Sequence, residues 1–288
     1  MERAQILERI KEYEQLELFD RDVEEDPPTR PLKPGEVDYL QQKWTTRVCS
    51  AFANQIAKHY FDGCIKRGEL VIKEVRGLEN YMAVDKQGVI ITANHFHPYD
   101  NYAVFKVIEK ALGRRRLYKI IREGNYTSFP GLYGFFFRHC NTLPLGSNTA
   151  VWRELTHAVR VLLQERQEKI LIYPEQGMWW NYRKPRPLKA GAFRFAADAG
   201  APVLPFFLTM EDTDRLDGEG YPIQAYTVHI APAVYPDPAC SVRENARRMS
   251  EENYQIWKRI YEDTYGIPLQ YTTEDVKHRD LYQHHSAE

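Results

Sequence analysis

The chain has few cysteines and no long apolar run. Four of its 288 residues are cysteine, at positions too far apart for a CxxC pair. We interpret them as the reduced thiols of a cytosolic protein and expect no metal cluster built on them. No apolar stretch approaches the ~20 residues that cross a bilayer. The sequence therefore predicts a protein without a transmembrane helix, either soluble or lying on one face of a membrane.

The sequence also lacks a strong net charge and a leader-like start. The formal net charge is −1 at pH 7, so no overall attraction to nucleic acid exists and we expect no nucleic-acid partner. The first ten residues carry neither the basic start nor the apolar stretch of a signal peptide, which favours a cytoplasmic location. Hydrophobic residues make up 43% of the chain, enough for a substantial core.

Composition along the chain predicts three regions. In the first region, residues 1–36, we predict an exposed helix of alternating charge over 2–19. A proline-rich linker or extended arm is predicted to follow it. Residues 37–270 form the main domain, and residues 271–288 form a polar tail. The main domain begins with a predicted helix over 37–63.

That helix has one apolar stripe. Residues spaced for a single helical face are Trp44, Val48, Phe52, Ile56 and Tyr60. Basic residues accompany the stripe, among them Arg47. The stripe either packs on the core or lies in a membrane interface.

Short apolar runs and helical patterns alternate through the rest of the chain. Strands are predicted at 70–75, 89–93, 117–121, 169–173, 202–209 and 226–231. Helices are predicted at 101–112, 149–166, 188–199 and 242–265. This alternation indicates an α/β fold with a mixed, largely parallel sheet covered by helices on both faces. Ligands of such sheets bind at the carboxyl ends of strands, where His95 and Glu175 would both emerge.

The loop after the strand at 89–93 carries the most informative residues. Its sequence is Asn94-His95-Phe96-His97-Pro98-Tyr99-Asp100. A histidine with a carboxylate five residues on can be held in one tautomer and act as a base near neutral pH. His95 and Asp100 are therefore candidate catalytic residues, and a purely structural pair is the alternative.

Three further segments follow this loop in order. They are Gly131 to Arg138 leading into Leu143-Pro144-Leu145, then Tyr173-Pro174-Glu175-Gln176-Gly177, then Ala201-Pro202-Val203-Leu204-Pro205. In this order and at these intervals, the four segments resemble the sequence blocks of the glycerolipid acyltransferases, which include the glycerol-3-phosphate and 1-acyl-glycerol-3-phosphate acyltransferases. The resemblance covers roughly residues 77–236 and implies the acyltransferase α/β fold.

The resemblance implies a chemistry. His95 would be the general base that takes the proton from an acceptor hydroxyl, and Asp100 would orient it and stabilise the imidazolium. The acceptor, a lysophospholipid or a glycerol phosphate, would attack the thioester of acyl-CoA or of an acyl carrier protein. The thioester is a co-substrate, so no cofactor and no metal is expected. Such an enzyme of phospholipid biosynthesis would lie peripherally on the inner face of the membrane.

The resemblance also implies a set of substrate contacts. They are Asn94, Arg138, Glu175, Gly177, Arg183, Arg186 and Pro205. Glu175 matches the third-block glutamate beside the glycerol backbone, with helix capping as the alternative. Arg138 is the nearest candidate for a second-block arginine on the phosphate, where a guanidinium binds two oxygens at once.

The chain departs from the family pattern in two blocks. His97 stands where the family commonly has Ser or Thr. The third block usually reads Phe-Pro-Glu-Gly-Thr-Arg, whereas this chain has Tyr-Pro-Glu-Gln-Gly-Met-Trp-Trp. The phosphate-binding arginine is missing from its expected place. Either Arg183 or Arg186 supplies the charge from a shifted loop, or the acceptor is not a phosphate monoester.

Two other function classes remain open at this point. A metal-dependent hydrolase would use His95, His97 and Asp100, although the carboxylate is one residue too far along for the usual motif. A non-catalytic lipid-binding relative is the third hypothesis.

Two surface features also have more than one interpretation. The basic run Arg114-Arg115-Arg116, with Lys119 and Arg122, is a solvated helix end, or a contact for anionic lipid headgroups or for the phosphates of CoA. The adjacent Trp179 and Trp180 either pack over the site or enter the membrane interface.

Overall fold

The computed structural model describes residues 2–25 and 28–272. Most of the predicted polar tail, residues 273–288, lies outside the described residues. The helices are α1 (Arg3–Gln15), α2 (Trp44–Arg67), α3 (Leu78–Met82), α4 (Asp100–Leu112), α5 (Glu123–Thr127), α6 (Gly131–His139), α7 (Thr149–Gln164), α8 (Gly191–Asp198) and α9 (Val242–Tyr265). The strands are β1 (Val71–Arg76), β2 (Val89–Thr92), β3 (Leu117–Arg122), β4 (Thr142–Leu145), β5 (Lys169–Ile172), β6 (Val203–Leu216) and β7 (Pro222–Ile230).

The seven strands form one open sheet in the order β1-β7-β6-β2-β5-β3-β4. All neighbouring strands in it are parallel except β6 and β7, which form an antiparallel pair. The predicted mixed, largely parallel sheet is confirmed. Parallel neighbours place the carboxyl ends of β2, β5 and β3 at one edge, which brings together the loops that follow them.

Helices cover both faces of the sheet, as the continuous apolar strands predict. Along β2, Ile90 packs into a core with α7 and α8. Val89 and Ile91 point to the opposite face and pack with α4. This alternation makes β2 a fully buried central strand, and it fixes the starting position of the loop that carries His95.

The sequence did not predict β4 and α6. β4 contains Pro144 and lies at the edge of the sheet, where a proline is tolerated because no further strand needs its missing N–H. α6 begins at Gly131, which has a positive φ of 60°, and the glycines and aromatics of this segment have no strong helical period. β6 also extends seven residues beyond its predicted end at 209, as far as Leu216.

The N-terminal segment packs on the domain. Ile6 and Ile10 of α1 are buried, with Phe19 and Val23 of the arm, around the indole of Trp179. The predicted exposure of this helix is therefore wrong on one face, because its few apolar residues bury a tryptophan that follows β5.

The apolar stripe of α2 faces outward at most of its positions. Trp44 is 69% exposed, Val48 58% and Phe52 61%, whereas the buried positions of the helix are Ser50, Ala53 and Cys64. The core-facing interpretation is wrong for this stripe. Within the described residues, the structure has no helix whose length and apolarity suffice to cross a membrane.

Candidate active site

His95 and Asp100 are hydrogen-bonded at the carboxyl end of β2. Asp100 is the first residue of α4, and its Oδ2 lies 2.7 Å from Nδ1 of His95. The backbone N–H of Phe96 donates to the same oxygen at 3.0 Å. The His95 side chain is 25% exposed and the Asp100 side chain 1%. Since Nδ1 faces Asp100, Nε2 is the ring nitrogen left to exchange a proton with a ligand.

The Asp100 carboxylate stays ionised although it is buried. Burial alone would raise the pKa of Asp100. The charge and hydrogen bond of His95 outweigh burial, with further hydrogen bonds from Tyr173 and from the Phe96 N–H, and they hold this pKa below its usual value. A buried anion beside Nδ1 fixes the imidazole tautomer and stabilises the protonated ring.

Tyr173 completes the pair and was missed as a site residue. Its hydroxyl donates to Oδ1 of Asp100 at 2.6 Å, and its ring stacks on the imidazole of His95. Burial and the neighbouring carboxylate raise the pKa of Tyr173 well above its usual value, so the hydroxyl remains a donor. The available signal was the tyrosine at the position where the third block usually has phenylalanine.

Glu175 joins the loop after β5 to the loop after β2. Its Oε2 accepts from the His95 backbone N–H at 3.0 Å and from Nη2 of Arg186 at 3.0 Å. Its Oε1 accepts from the Arg186 backbone N–H at 2.9 Å. Both side chains of this ion pair are almost fully buried. A contact of Glu175 with the acceptor, which stays a prediction, would require one of these bonds to open.

Arg186 is enclosed by the same loop. Its guanidinium donates to the carbonyl of Gly177 and lies over the Trp179 ring, 4.7 Å from the centroid. Gly177 itself is close-packed, since a Cβ there would lie 3.1 Å from Oδ1 of Asp22. The structure thus places the predicted phosphate ligand Arg186 in the interior, where its charge balances Glu175.

Arg183 and Asn94 are also bound inside the fold. Arg183 is 1% exposed and pairs with Asp212 at 2.8 Å. The Asn94 amide donates to the carbonyl of Leu208 at 3.0 Å and accepts from its N–H at 2.8 Å. Pro205 lies beside Thr92 in the β2–β6 pairing. Asn94 and Pro205 therefore hold the strands around the His95 loop, and Arg183 lies in the interior beside Asp212.

A different arginine from the predicted one lies at the site edge. The Arg138 guanidinium points to the carbonyls of Tyr126 and Phe129, at 3.5 and 3.4 Å. Arg122 instead ends β3, two strands from β2 in the sheet. Its Nη2 donates to the carbonyl of Gln176 at 2.8 Å, and it pairs with Asp22 at 2.7 Å. The sequence contained Arg122 only as part of a basic run.

His97 is held by its surroundings as a neutral ring. Its Nδ1 accepts from the Tyr99 N–H at 3.1 Å, and its ring meets Trp180 edge-on with 5.0 Å between centroids. Burial lowers the pKa of His97 to about 4. Across residues 2–25 and 28–272, no three His, Cys, Asp or Glu side chains are grouped so that they could hold a metal ion.

Trp179 lies under the N-terminal arm beside the site. It is completely buried, and its indole N–H donates to the carbonyl of Arg21 at 3.0 Å. Its backbone N–H donates to the carbonyl of His95 at 3.1 Å. The membrane-interface interpretation is therefore wrong for Trp179, and this residue supports the His95 loop from behind.

Comparison with known proteins gives a match over the part of the chain that carries this site. A family model described as Acyltransferase matches residues 73–209. The chain carries an acyltransferase domain. This confirms the resemblance to the glycerolipid acyltransferases. The matched range of the acyltransferase domain includes His95, Asp100, Tyr173, Glu175 and Arg186.

Solved structures are also similar to this chain. One is the 1-acyl-sn-glycerophosphate (LPA) acyltransferase PlsC from Thermotoga maritima, which is 20% identical and aligns over 78% of this chain and 81% of that chain with a TM-score of 0.48. A comparison with curated proteins gives no match.

Proposed function

We propose that this protein transfers an acyl chain from acyl-CoA or an acyl carrier protein to the hydroxyl of a lysophospholipid or glycerol-phosphate acceptor, in phospholipid biosynthesis. The observation that carries the proposal is the His95–Asp100 pair at 2.7 Å, with Nε2 directed away from its buried partner. A base held in this way acts on a hydroxyl that the substrate itself brings.

The proposed reaction needs one proton carrier. Nε2 of His95 accepts the proton of the acceptor hydroxyl while that oxygen forms its bond to the thioester carbonyl carbon. Asp100 stabilises the imidazolium that results. The tetrahedral intermediate then collapses, the C–S bond breaks, and the leaving thiolate takes the proton back from Nε2. The products are an ester and a free thiol.

We further propose that the protein works on the surface of a membrane, on its cytoplasmic face. The exposed stripe of Trp44, Val48 and Phe52 continues onto α6, where Leu132 is 65% exposed and Tyr133 72%. The two helices are in contact, with Phe52 meeting Phe135 at 6.4 Å between ring centroids. Exposed aromatics on an amphipathic helix suit the boundary between headgroups and acyl chains, and a lysolipid acceptor resides there.

Thiol release tests the chemistry. Purified protein is given acyl-CoA or acyl carrier protein with a lyso acceptor, and free thiol and ester product are both measured. His95→Ala should lower the rate by roughly 10²–10⁴-fold, the usual contribution of a positioned base. His157→Ala is the matched control, because His157 is an exposed histidine on α7. Thermal unfolding of both variants checks that the fold is intact.

Two outcomes would overturn the proposal. Transfer that continues unchanged in a folded His95→Ala protein would remove the assigned base. Lipid association without any transfer by the parent, with every donor and acceptor, would identify a lipid-binding relative instead. A panel of glycerol 3-phosphate, lysophosphatidic acid and phosphate-free lyso-lipids then defines the acceptor.

A further inference from the structure

A pocket lined by arginines lies at the amino ends of the parallel strands, whereas His95 lies at their carboxyl ends. Arg114 and Arg116 precede β3, and Arg166 precedes β5, so all three stand at the amino ends of parallel strands. Arg47 of α2 completes the set, and the cavity has a volume of about 360 Å³. His95 follows the carboxyl end of β2, so this pocket is separate from the candidate active site.

The charge of this pocket is strongly unbalanced. Its lining contains the four arginines and one carboxylate, that of Glu168. Oε2 of Glu168 accepts from the Arg116 backbone N–H, and burial raises the pKa of this carboxyl. All four arginines are exposed. In a chain whose net charge is −1, this surface is a local concentration of positive charge that an anion would neutralise.

Parts of the pocket are held in a fixed arrangement. Arg116 donates to the side-chain carbonyl of Gln41, and Arg166 donates to the backbone carbonyl of Leu40 at 2.8 Å. Gln41 has a positive φ of 52° and its amide donates to Ser50 at 3.2 Å. These contacts fix the segment before α2, at Leu40 and Gln41, against the amino ends of the strands. The guanidinium groups of Arg116 and Arg166 are therefore held at the pocket.

The other two arginines are unengaged. The side chains of Arg47 and Arg114 form no hydrogen bond or ion pair within residues 2–25 and 28–272. Guanidinium groups bind phosphate oxygens in pairs. Two free guanidinium groups beside two anchored ones suit a phosphate group.

The position of Arg47 indicates the source of that phosphate. Arg47 lies three residues after Trp44 and next to Val48, and residues three apart are neighbours on a helix surface. The pocket therefore borders the exposed apolar stripe of α2. A lipid whose acyl chains lie along that stripe would bring its headgroup to the arginines.

We propose that the pocket formed by Arg47, Arg114, Arg116 and Arg166 binds the phosphate headgroup of an anionic phospholipid that is not the substrate. The proposal rests on the membrane association proposed above and is independent of the acyl-transfer chemistry. The bound lipid anchors the amino end of α2 at the bilayer, while the acceptor reacts at the carboxyl ends of the strands.

Vesicle binding tests the pocket. Full-length protein is titrated with vesicles of phosphatidylcholine alone and of phosphatidylcholine with phosphatidylglycerol. We expect the double variant Arg47→Gln/Arg114→Gln to bind the anionic vesicles roughly 25-fold more weakly than the parent, about 5-fold for each arginine near a charged surface. Binding to neutral vesicles should stay unchanged. The control pair Arg243→Gln/Arg247→Gln removes the same charge from exposed positions of α9.

Three results would overturn the proposal, each from a separate measurement. Equal weakening in the double variant and the control pair would show a general charge effect. Calorimetric binding of inorganic phosphate at micromolar concentration, lost in the double variant, would assign the pocket to a soluble anion. A raised KM for acyl-CoA with a detergent-dispersed acceptor would assign the arginines to the donor. Failure of the acyl-transfer proposal would appear instead in the His95→Ala assay.

Discussion

The ring of Tyr173 lies nearly parallel to the imidazole of His95, with 4.0 Å between centroids and 17° between planes. The same side chain donates its hydroxyl to Asp100. A single tyrosine therefore limits the tilt of the proposed base and helps to keep its carboxylate partner ionised. Because Tyr173 directly follows β5, the geometry of the pair depends on how β5 and β2 are aligned in the sheet.

Replacing Tyr173 by phenylalanine separates these two effects. Tyr173→Phe keeps the stacked ring and removes one hydrogen bond to a carboxylate, so we expect kcat to fall by about 10-fold. Tyr173→Leu removes the stack as well and should fall further. The two values come from initial rates of thiol release. Equal kcat in the parent and in both variants would show that Tyr173 does not position the pair.

Asp100→Asn should affect both activity and acid stability. Activity at pH 7 should fall by roughly 10²–10⁴-fold, since the imidazolium loses its counter-charge. The pKa of Asp100 is lowered in the folded state. Its carboxylate therefore stabilises the fold above the unfolded pKa of about 3.9, and this stabilisation is lost as the pH falls through the folded pKa.

Urea unfolding between pH 7 and pH 3 measures this effect. The free energy of unfolding of the parent should fall more steeply below about pH 4 than that of Asp100→Asn. Asp263→Asn on the exposed side of α9 is the matched control and should follow the parent. A variant curve parallel to that of the parent would contradict the lowered pKa.

The buried pair of Glu175 and Arg186 should be costly to break from one side. Arg186→Met leaves an unpaired carboxylate in the interior, so we expect a loss of about 3–5 kcal/mol in the free energy of unfolding. The double variant Glu175→Gln/Arg186→Met removes both charges and should recover part of that loss. The free energy of unfolding is also measured for the single variant Glu175→Gln. A loss in the double variant equal to the sum of the losses in Glu175→Gln and Arg186→Met would exclude coupling between the two residues.

Arg122 and Arg138 give opposite expectations for acceptor binding. Arg122→Gln should raise the KM for phosphate-bearing acceptors by about 10–100-fold, the loss of charge-assisted hydrogen bonds, and leave phosphate-free acceptors unaffected. Arg138→Gln removes an arginine that points to backbone carbonyls of its own region, and it should change neither value. The reverse result would return the phosphate contact to Arg138, as the second block suggested.

Local signals in the sequence were enough for much of the fold. α9 has its predicted bounds because Ser241 and Glu244 form a capping box at its start and Gly266 takes a left-handed conformation after its end. The central strand β2 was likewise visible as a short apolar run. Both features are determined by residues within the element or next to it.

The part of the candidate site that lies close together in the sequence was predictable in the same way. His95 and Asp100 are five residues apart, so a single loop and the start of a helix bring them together. The pair Arg183–Asp212 depends on how separate segments pack, and the pair Glu175–Arg186 depends on the path of the irregular loop after β5. A lone arginine in a sequence does not show whether its partner is a substrate or a buried carboxylate. The outward side of α2 had the same difficulty, since an apolar stripe suits a core and a lipid surface equally.

Helix α1 binds residues that are synthesised much later than the helix itself. Arg3 pairs with Asp217, which follows it by 214 residues, and with Glu219 at 3.1 Å. At about 5–20 residues per second, synthesis of the intervening chain takes roughly 10–40 s. Until Trp179 has been synthesised, late in that interval, the apolar face of α1 has no tryptophan to cover. The N-terminal segment therefore docks late in folding.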